Sequence, residues 1–184
     1  MVLVLVLGDL HIPYRAGGIP EAFRKMFVPG RINKVFLTGN ATSAEVITYL
    51  KTFCSDVQCT AGDMDDYDST LPEMITAEVG DLKFGMLHGH QVVPWGDKEA
   101  LAMTQRKLDV DVLISGHTHS QKHFELDGKL FVNPGSITGA FSTVECDVTP
   151  SFILMDVQGT SITSYVYAWD GAELKVKKKM YAKA

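Results

Sequence analysis

Five times along this chain a run of Val, Ile, Leu, Met or Phe ends in a turn that carries glycine together with aspartate, asparagine or histidine. The segments are Gly8-Asp9-Leu10-His11, Gly39-Asn40, Gly62-Asp63-Met64-Asp65, His88-Gly89-His90 and Gly116-His117-Thr118-His119. Short apolar, β-branched runs read as strands. In open α/β sheets, sites are assembled from the turns just beyond strand C-termini. The repetition therefore restricts the chain to folds in which several strand ends converge on one rim.

Residues 1–7 are continuously apolar, which suits a central strand covered on both faces. Pro20, with Phe23, Met26 and Phe27 at helical spacing, predicts a short helix closed by Pro29-Gly30. A strand is expected over 34–37. Thr42-Ser43-Ala44-Glu45 then has the pattern of a capping box ahead of Val46, Ile47, Leu50 and Phe53 on one helical face. Residues 57–60 read as a short strand, 74–79 and 82–87 as a hairpin about Gly80-Asp81, 97–108 as a helix and 112–115 as a strand. Beyond it, 122–126 and 130–132 flank Asp127-Gly128, 151–157 pairs with 161–169, and 173–181 completes an antiparallel meander. Residues 1–184 thus read as one α/β domain, a two-sheet β-sandwich flanked by helices (αββα), with its site at one rim.

A net charge of −5 gives no broad attraction for nucleic acid or for an anionic membrane surface. Lys175 and Lys177 to Lys179 lie in an alternating segment and read as a solvated strand edge. Cys54, Cys59 and Cys146 are odd in number and lack metal-binding spacing, which points to reduced, cytosolic surroundings. The apolar start has no basic n-region and no small-residue cleavage site, so it reads as a core strand rather than a signal peptide. No later apolar run approaches the ~18 residues of a membrane span. Membrane association, without a lipidation motif or basic amphipathic helix, would run through a partner.

Asp9, His11, Asn40, Asp63, His88, His117 and His119 are the donor inventory of a centre for two divalent cations: several imidazoles, carboxylates, and one oxygen donor to stand between. A single Asp-x-His after a strand is often only a polar turn. Its recurrence in order argues against coincidence, and the chemistry such a centre supports is that of phosphate esters.

These segments, in this order, resemble the metallophosphoesterase (calcineurin-like) superfamily, whose motifs run Asp-x-His, Gly-Asp, Gly-Asn-His-Asp/Glu, Gly-His and Gly-His-x-His. The resemblance implies that Asp9, His11 and His119 hold one metal and Asp63, His88 and His117 the other, with Asn40 between them. Zinc or manganese, as one or two weakly held ions, is implied. Three positions depart from the family. Asn40 replaces the bridging aspartate, and a neutral amide is a poorer bridge. Asp63 replaces asparagine, so the summed ligand charge is kept while negative charge moves towards one metal. Met64 replaces the histidine that protonates the leaving alkoxide. A thioether cannot donate a proton, and general acid catalysis is typically worth about 10²–10⁴-fold. Asp65 and Asp66 read as solvated loop acids. His90 stays open between supporting the ligands and being a plain loop imidazole, and Asn133-Pro134-Gly135-Ser136 between a loop that shapes the site rim and a rigid turn.

Within the superfamily, the chain is similar to the small metallophosphoesterase-fold subunits of retromer, the endosomal sorting coat. The similarity rests on residues 4–13, 88–97 and 110–119, on Asn133-Pro134-Gly135-Ser136 with Gly139-Ala140, and on Pro150-Ser151-Phe152 with Leu154-Met155-Asp156. The three departures are shared as well. It implies a non-catalytic scaffold that needs no metal for that role and is a monomer in isolation. Such a scaffold is cytoplasmic and peripheral on endosomal membranes through its partners. Its metal-site face docks a large α-solenoid subunit, and a separate apolar surface recruits Rab GTPase regulators. Ile12, Pro13 and Tyr14 are implied for the docking face, and Val93, Pro94, Trp95 and Leu154 for the recruiting surface. Strand alternation leaves Leu154 open between that surface and the interior. Two other readings compete: a working phosphodiesterase with a metal-bound hydroxide as nucleophile, and a regulator whose docking requires an occupied metal site.

Overall fold

Val2–Leu7 forms β1, and its unbroken apolarity follows from the two layers it separates. Val4 and Val6 enter the space between two sheets, whereas Leu5 and Leu7 face a helical layer. The structure, a computed structural model, describes residues 1–183. After β1 come α1 (Glu21–Arg24), β2 (Lys34–Leu37), α2 (Ala44–Lys51), β3 (Val57–Cys59), β4 (Met74–Val79), β5 (Leu82–Leu87), α3 (Lys98–Leu108), β6 (Val112–Ile114), β7 (Lys122–Leu126), β8 (Lys129–Asn133), β9 (Ser151–Gln158), β10 (Ser161–Trp169) and β11 (Leu174–Ala182).

One sheet runs β11-β10-β9-β1-β2-β3 and the other β4-β5-β6-β8-β7. Phe36, Phe84, Met86, Ile114 and Ile153 fill the space between them. Phe23 of α1 with Val46 and Leu50 of α2 cover the outer face of the first sheet, and Leu101 of α3 covers the second. This is the expected αββα sandwich. Its parallel pairs, β1 with β2, β2 with β3, β5 with β6 and β6 with β8, place the C-termini of those strands where the ligand-bearing turns begin.

Two local expectations change. The first helix stops at Arg24, and the chain tightens into three-residue turns, Met26 N–H to Phe23 O and Phe27 N–H to Arg24 O. That tightening lets both Phe23 and Phe27 meet Phe152 edge-on, at 4.8 and 5.5 Å. The capping box does not form at Thr42. Ser43 is the N-cap of α2, and the Thr42 hydroxyl instead donates to Ile12 O at 2.7 Å.

Buried Asp111 ties the two sheets together beyond their shared core. It accepts from Lys83 N–H at 3.0 Å, Lys129 Nζ at 2.8 Å and Lys183 Nζ, just past β11, at 2.9 Å. Burial alone would raise its carboxyl, but the Lys129 ammonium, the Lys83 amide and Lys183 outweigh it and hold the group at about 2. A carboxylate depressed on folding contributes stability above its unfolded pKa and loses it as pH falls through the folded value. D111N is therefore expected to lower stability at pH 7 by about 2 kcal/mol and to remove part of the acid sensitivity between about pH 4 and pH 2. Urea unfolding measured across that range checks both effects.

Candidate metal centre

The seven ligand-type residues do converge, in two groups. Asp9, His11 and His119 form one and Asp63, His88 and His117 the other, and in each group one donor atom per residue lies within 4.8 Å of the others. In the first, His11 Nε2 is 3.2 Å from His119 Nε2, and Asp9 Oδ1 is 3.5 Å from His119 Nε2. In the second, Asp63 Oδ1 is 3.0 Å from His88 Nε2, and His117 Nδ1 is 3.2 Å from the same nitrogen. Asn40 stands between the groups. Its Nδ2 lies 2.9 Å from Asp63 Oδ1 and 3.4 Å from His11 Nε2, while its Oδ1 accepts from Met64 N–H.

The backbone that presents these donors is unusual. Asp9, His11, Asn40, His117 and His119 all have φ between 50° and 68°, in the left-handed region that non-glycine residues seldom occupy. Each such residue costs about 1–3 kcal/mol and persists only where its surroundings over-determine it. Close packing supplies that constraint: any side chain at Gly8 or Gly116 would run into Thr38. The loop after β8 supplies more. Asn133 Nδ2 donates to Gly116 O at 3.0 Å, and Ser136 Oγ donates to Asp9 O at 2.7 Å. Asn133 and Ser136 thus brace the first and last ligand segments from behind.

Hydrogen bonding on the outer side of the rings shows whether the donors suit a cation. His88 Nδ1 meets Thr38 O at 2.7 Å, and His119 Nδ1 meets Ala140 O at 2.5 Å. A carbonyl only accepts, so these Nδ1 atoms carry hydrogens and the rings turn Nε2 inwards, the orientation found in metal-binding histidines. Asp9 is fully buried, and its Oδ1 has no hydrogen-bond partner. Burial together with the His119 and Arg15 charges pushes His11 down to about 3, so its imidazole is neutral. His117 and His88 hold the Asp63 carboxyl well below the usual carboxylate range. Burial raises Asp9, while His88 and His119 pull it back only in part. Converging lone pairs and an orphaned buried carboxylate oxygen fit divalent cations, which when bound supply Lewis acidity and activate water.

Several residues at the centre escaped the sequence reading. Asp65 is not a solvated acid: it is buried, and its carboxylate accepts from Asn40 N–H at 2.7 Å, Thr42 N–H at 2.8 Å and Gly62 N–H at 2.9 Å. Its place as the fourth residue of Gly62-Asp63-Met64-Asp65, where the family pattern has an acid, was the available signal. Arg15 carried none. Its guanidinium reaches Met64 Sδ and Phe141 O, each at 3.0 Å. His90 packs 5.4 Å from His88, ring to ring, without touching a donor atom of either group.

The residues implied for the recruiting surface come from two parts of the chain, the 93–95 loop between β5 and α3 and Leu154 of β9. Trp95 lies edge-on to His117 at 4.5 Å, beside the second ligand group. Leu154 is in β9, opposite Leu5 and Tyr165, and packs half-buried with the helix-side cluster of the other sheet. Its side chain points away from the inter-sheet core occupied by Ile153 and Met155. Tyr14 and Val93 are among the most exposed large apolar side chains, at 75% and 72%.

Residues 2–160 match the calcineurin-like phosphoesterase superfamily domain. The chain is 45% identical to vacuolar protein sorting-associated protein 29 of Schizosaccharomyces pombe, over 99% of both chains. The structure of vacuolar protein sorting 29 from Cryptosporidium parvum superposes with a TM-score of 0.95 at 40% identity, covering 99% of this chain and 98% of that one. Wild-type Vps29 from Entamoeba histolytica, complexed with zinc, gives a TM-score of 0.92 at 42% identity, with 97% and 99% covered. Likeness of this extent, in sequence and in fold alike, makes the chain a member of the vacuolar protein sorting 29 family within the calcineurin-like phosphoesterase superfamily.

Proposed function

We propose that the chain is a subunit of retromer that docks a large α-solenoid subunit through the face bearing its metal centre, and that phosphoester hydrolysis is not its task. The observation that carries this reading is the mouth of the centre. A thioether, Met64, stands beside Asp63 where a proton donor would be needed, and exposed Trp95, against His117, and Phe141, against the Arg15 that reaches Met64, stand at its edge. Apolar side chains at a rim suit burial against a protein better than the entry of a charged ester. The docking face then comprises Ile12, Pro13 and Tyr14 together with Val93, Pro94 and Trp95. Leu154, on the other sheet, belongs to a second surface that receives Rab GTPase regulators. Residence on endosomal membranes follows from the partners, and no described helix is long and apolar enough to cross a membrane. Zinc, the ion complexed with the Entamoeba relative, is the cation we assign to the two groups.

Affinity purification of tagged variants tests the division of surfaces. V93D is expected to lose a near-equimolar α-solenoid subunit, because a carboxylate would be buried unpaired in the contact. L154D is expected to keep it. Retention of that subunit by V93D would overturn the docking assignment. Retention of both donor groups favours a second reading, a metal-dependent phosphodiesterase, which direct assay separates from the first.

A further inference from the structure

We propose that a cleft between the 145–149 loop and the first half of β11 receives an extended, mixed-charge segment of a partner protein. An acidic residue of that segment meets Lys177, and a basic neighbour meets Glu145 and Asp147. The lysines of β11, the edge strand of its sheet, divide by face. Lys179, Lys177 and Lys175 pair with Ser164, Val166 and Ala168 of β10, and Val166 belongs to the core between the sheets, so these three lysines turn towards the second sheet. Lys178 pairs with Tyr165, beside Leu154, on the opposite face. Lys179 Nζ donates to His123 O at 2.8 Å and closes the sandwich against β7. Beyond that bond Lys177 and Lys175 border a cleft of about 310 Å³, with Val166 and Ala168 beneath and Gln121, Glu145 and Asp147 among its walls. That volume is at the small end for a ligand site and suits a short stretch of chain.

Charge complementarity selects the occupant. Among the described residues Lys177, Glu145 and Asp147 form no ion pair, and Lys175 pairs only with Asp170, at 2.6 Å. Ammonium groups and carboxylates thus line one cleft without neutralising each other across it. Glu145 is held in place by a closed turn: buried Ser142 donates its N–H to Glu145 O at 2.8 Å, and Ser142 Oγ accepts from Glu145 N–H at 2.9 Å. Gln121 Nε2 is buried without an acceptor, and a carboxylate or peptide carbonyl entering the cleft would supply one. A simple anion would meet Glu145 and Asp147 as well as the lysines, and a simple cation the reverse. An extended chain satisfies both, because successive side chains point to opposite sides. Pairing of β11 with a second copy of itself is disfavoured, since it would set lysine against lysine.

Fluorescence polarisation with a labelled octapeptide of alternating glutamate and lysine tests this, against an octapeptide of the same composition arranged in two blocks. The alternating peptide is expected to bind the parent chain more tightly than the block peptide. K177E is expected to weaken the alternating peptide about tenfold, as an attraction of surface-pair size becomes a repulsion. K178E makes the same charge change on the other face of the strand and should bind as the parent does. Q121L, which removes the unpaired donor, should weaken binding about fivefold. Equal binding of the two peptides, or equal loss in K177E and K178E, would reduce the effect to general charge attraction and overturn the proposal. Failure of the alternating peptide to bind the parent overturns it as well. Self-association of the parent that K177E abolishes would hand the cleft to a second copy of the chain, against the proposal.

Discussion

Changing Asn40 to aspartate and Met64 to histidine together is expected to raise metal-dependent hydrolysis of bis(p-nitrophenyl) phosphate by about 10²–10⁴-fold over the parent chain. Met64 lies beside Asp63 at the mouth of the centre, and its backbone is fixed by its own N–H bond of 3.0 Å to Asn40 Oδ1. An imidazole there would stand within reach of a leaving oxygen and could deliver a proton to it. Asn40→Asp has a different effect. Asn40 Nδ2 donates to Asp63 Oδ1 at 2.9 Å, so aspartate would set two carboxylates against each other in a half-buried site. Such a pair must either share a proton or hold a cation between its oxygens. The single N40D variant should therefore be less stable than the parent without metal and gain more stability from zinc or manganese. M64H alone should supply the acid and yield a smaller gain. A parent chain already as fast as the double variant would turn down the scaffold reading in favour of the phosphodiesterase.

How much of this centre could be read from the sequence depends on which physical signal each residue leaves. Strands such as β1 and β9 announce themselves because burial on both faces demands unbroken apolar runs. The ligands announce themselves because turns bearing aspartate, asparagine or histidine recur after five strands, where a single one would read as only a polar turn. Conformation leaves a weaker trace: aspartate and histidine enter the left-handed region more often than most residues, but at Asp9 and His119 the backbone is imposed by Thr38, Asn133 and Ser136, remote in the chain. Long-range hydrogen bonds leave less still. Thr42 resembles a cap in sequence, yet its amide serves Asp65 and its hydroxyl Ile12, both remote in the chain. Arg15 could not be distinguished from any loop arginine until the 140s loop was seen to fold against it. For Leu154 the alternation in β9 was readable, but which of the two faces is the sandwich interior depends on the pairing with β1.

D65A is expected to lower stability by roughly 3 kcal/mol and to weaken zinc binding at the Asp63, His88 and His117 group far more than at the other. The argument begins with what the carboxylate joins. Oδ2 receives N–H bonds from Asn40 and Gly62 and Oδ1 from Thr42, so one side chain clasps the turn after β2 to the turn after β3. Asn40 sits at φ 52° and Thr42 at φ 63°, conformations these residues would leave if released. Three backbone donors lose a charged acceptor at once, and each buried donor left unmade costs about 1–3 kcal/mol, with partial relief from entering water. D65N offers no rescue. An amide can direct its single oxygen at only one side, and its NH2 group would then face the N–H groups on the other. Urea unfolding with and without zinc separates the two effects, because a ligand that binds only the folded state adds stability in proportion to the logarithm of its occupancy. The parent should gain from both groups and D65A chiefly from Asp9, His11 and His119. If D65A unfolds at the parent's urea midpoint and gains as much from zinc, Asp65 is a bystander and the ligand turns hold their shape through packing alone.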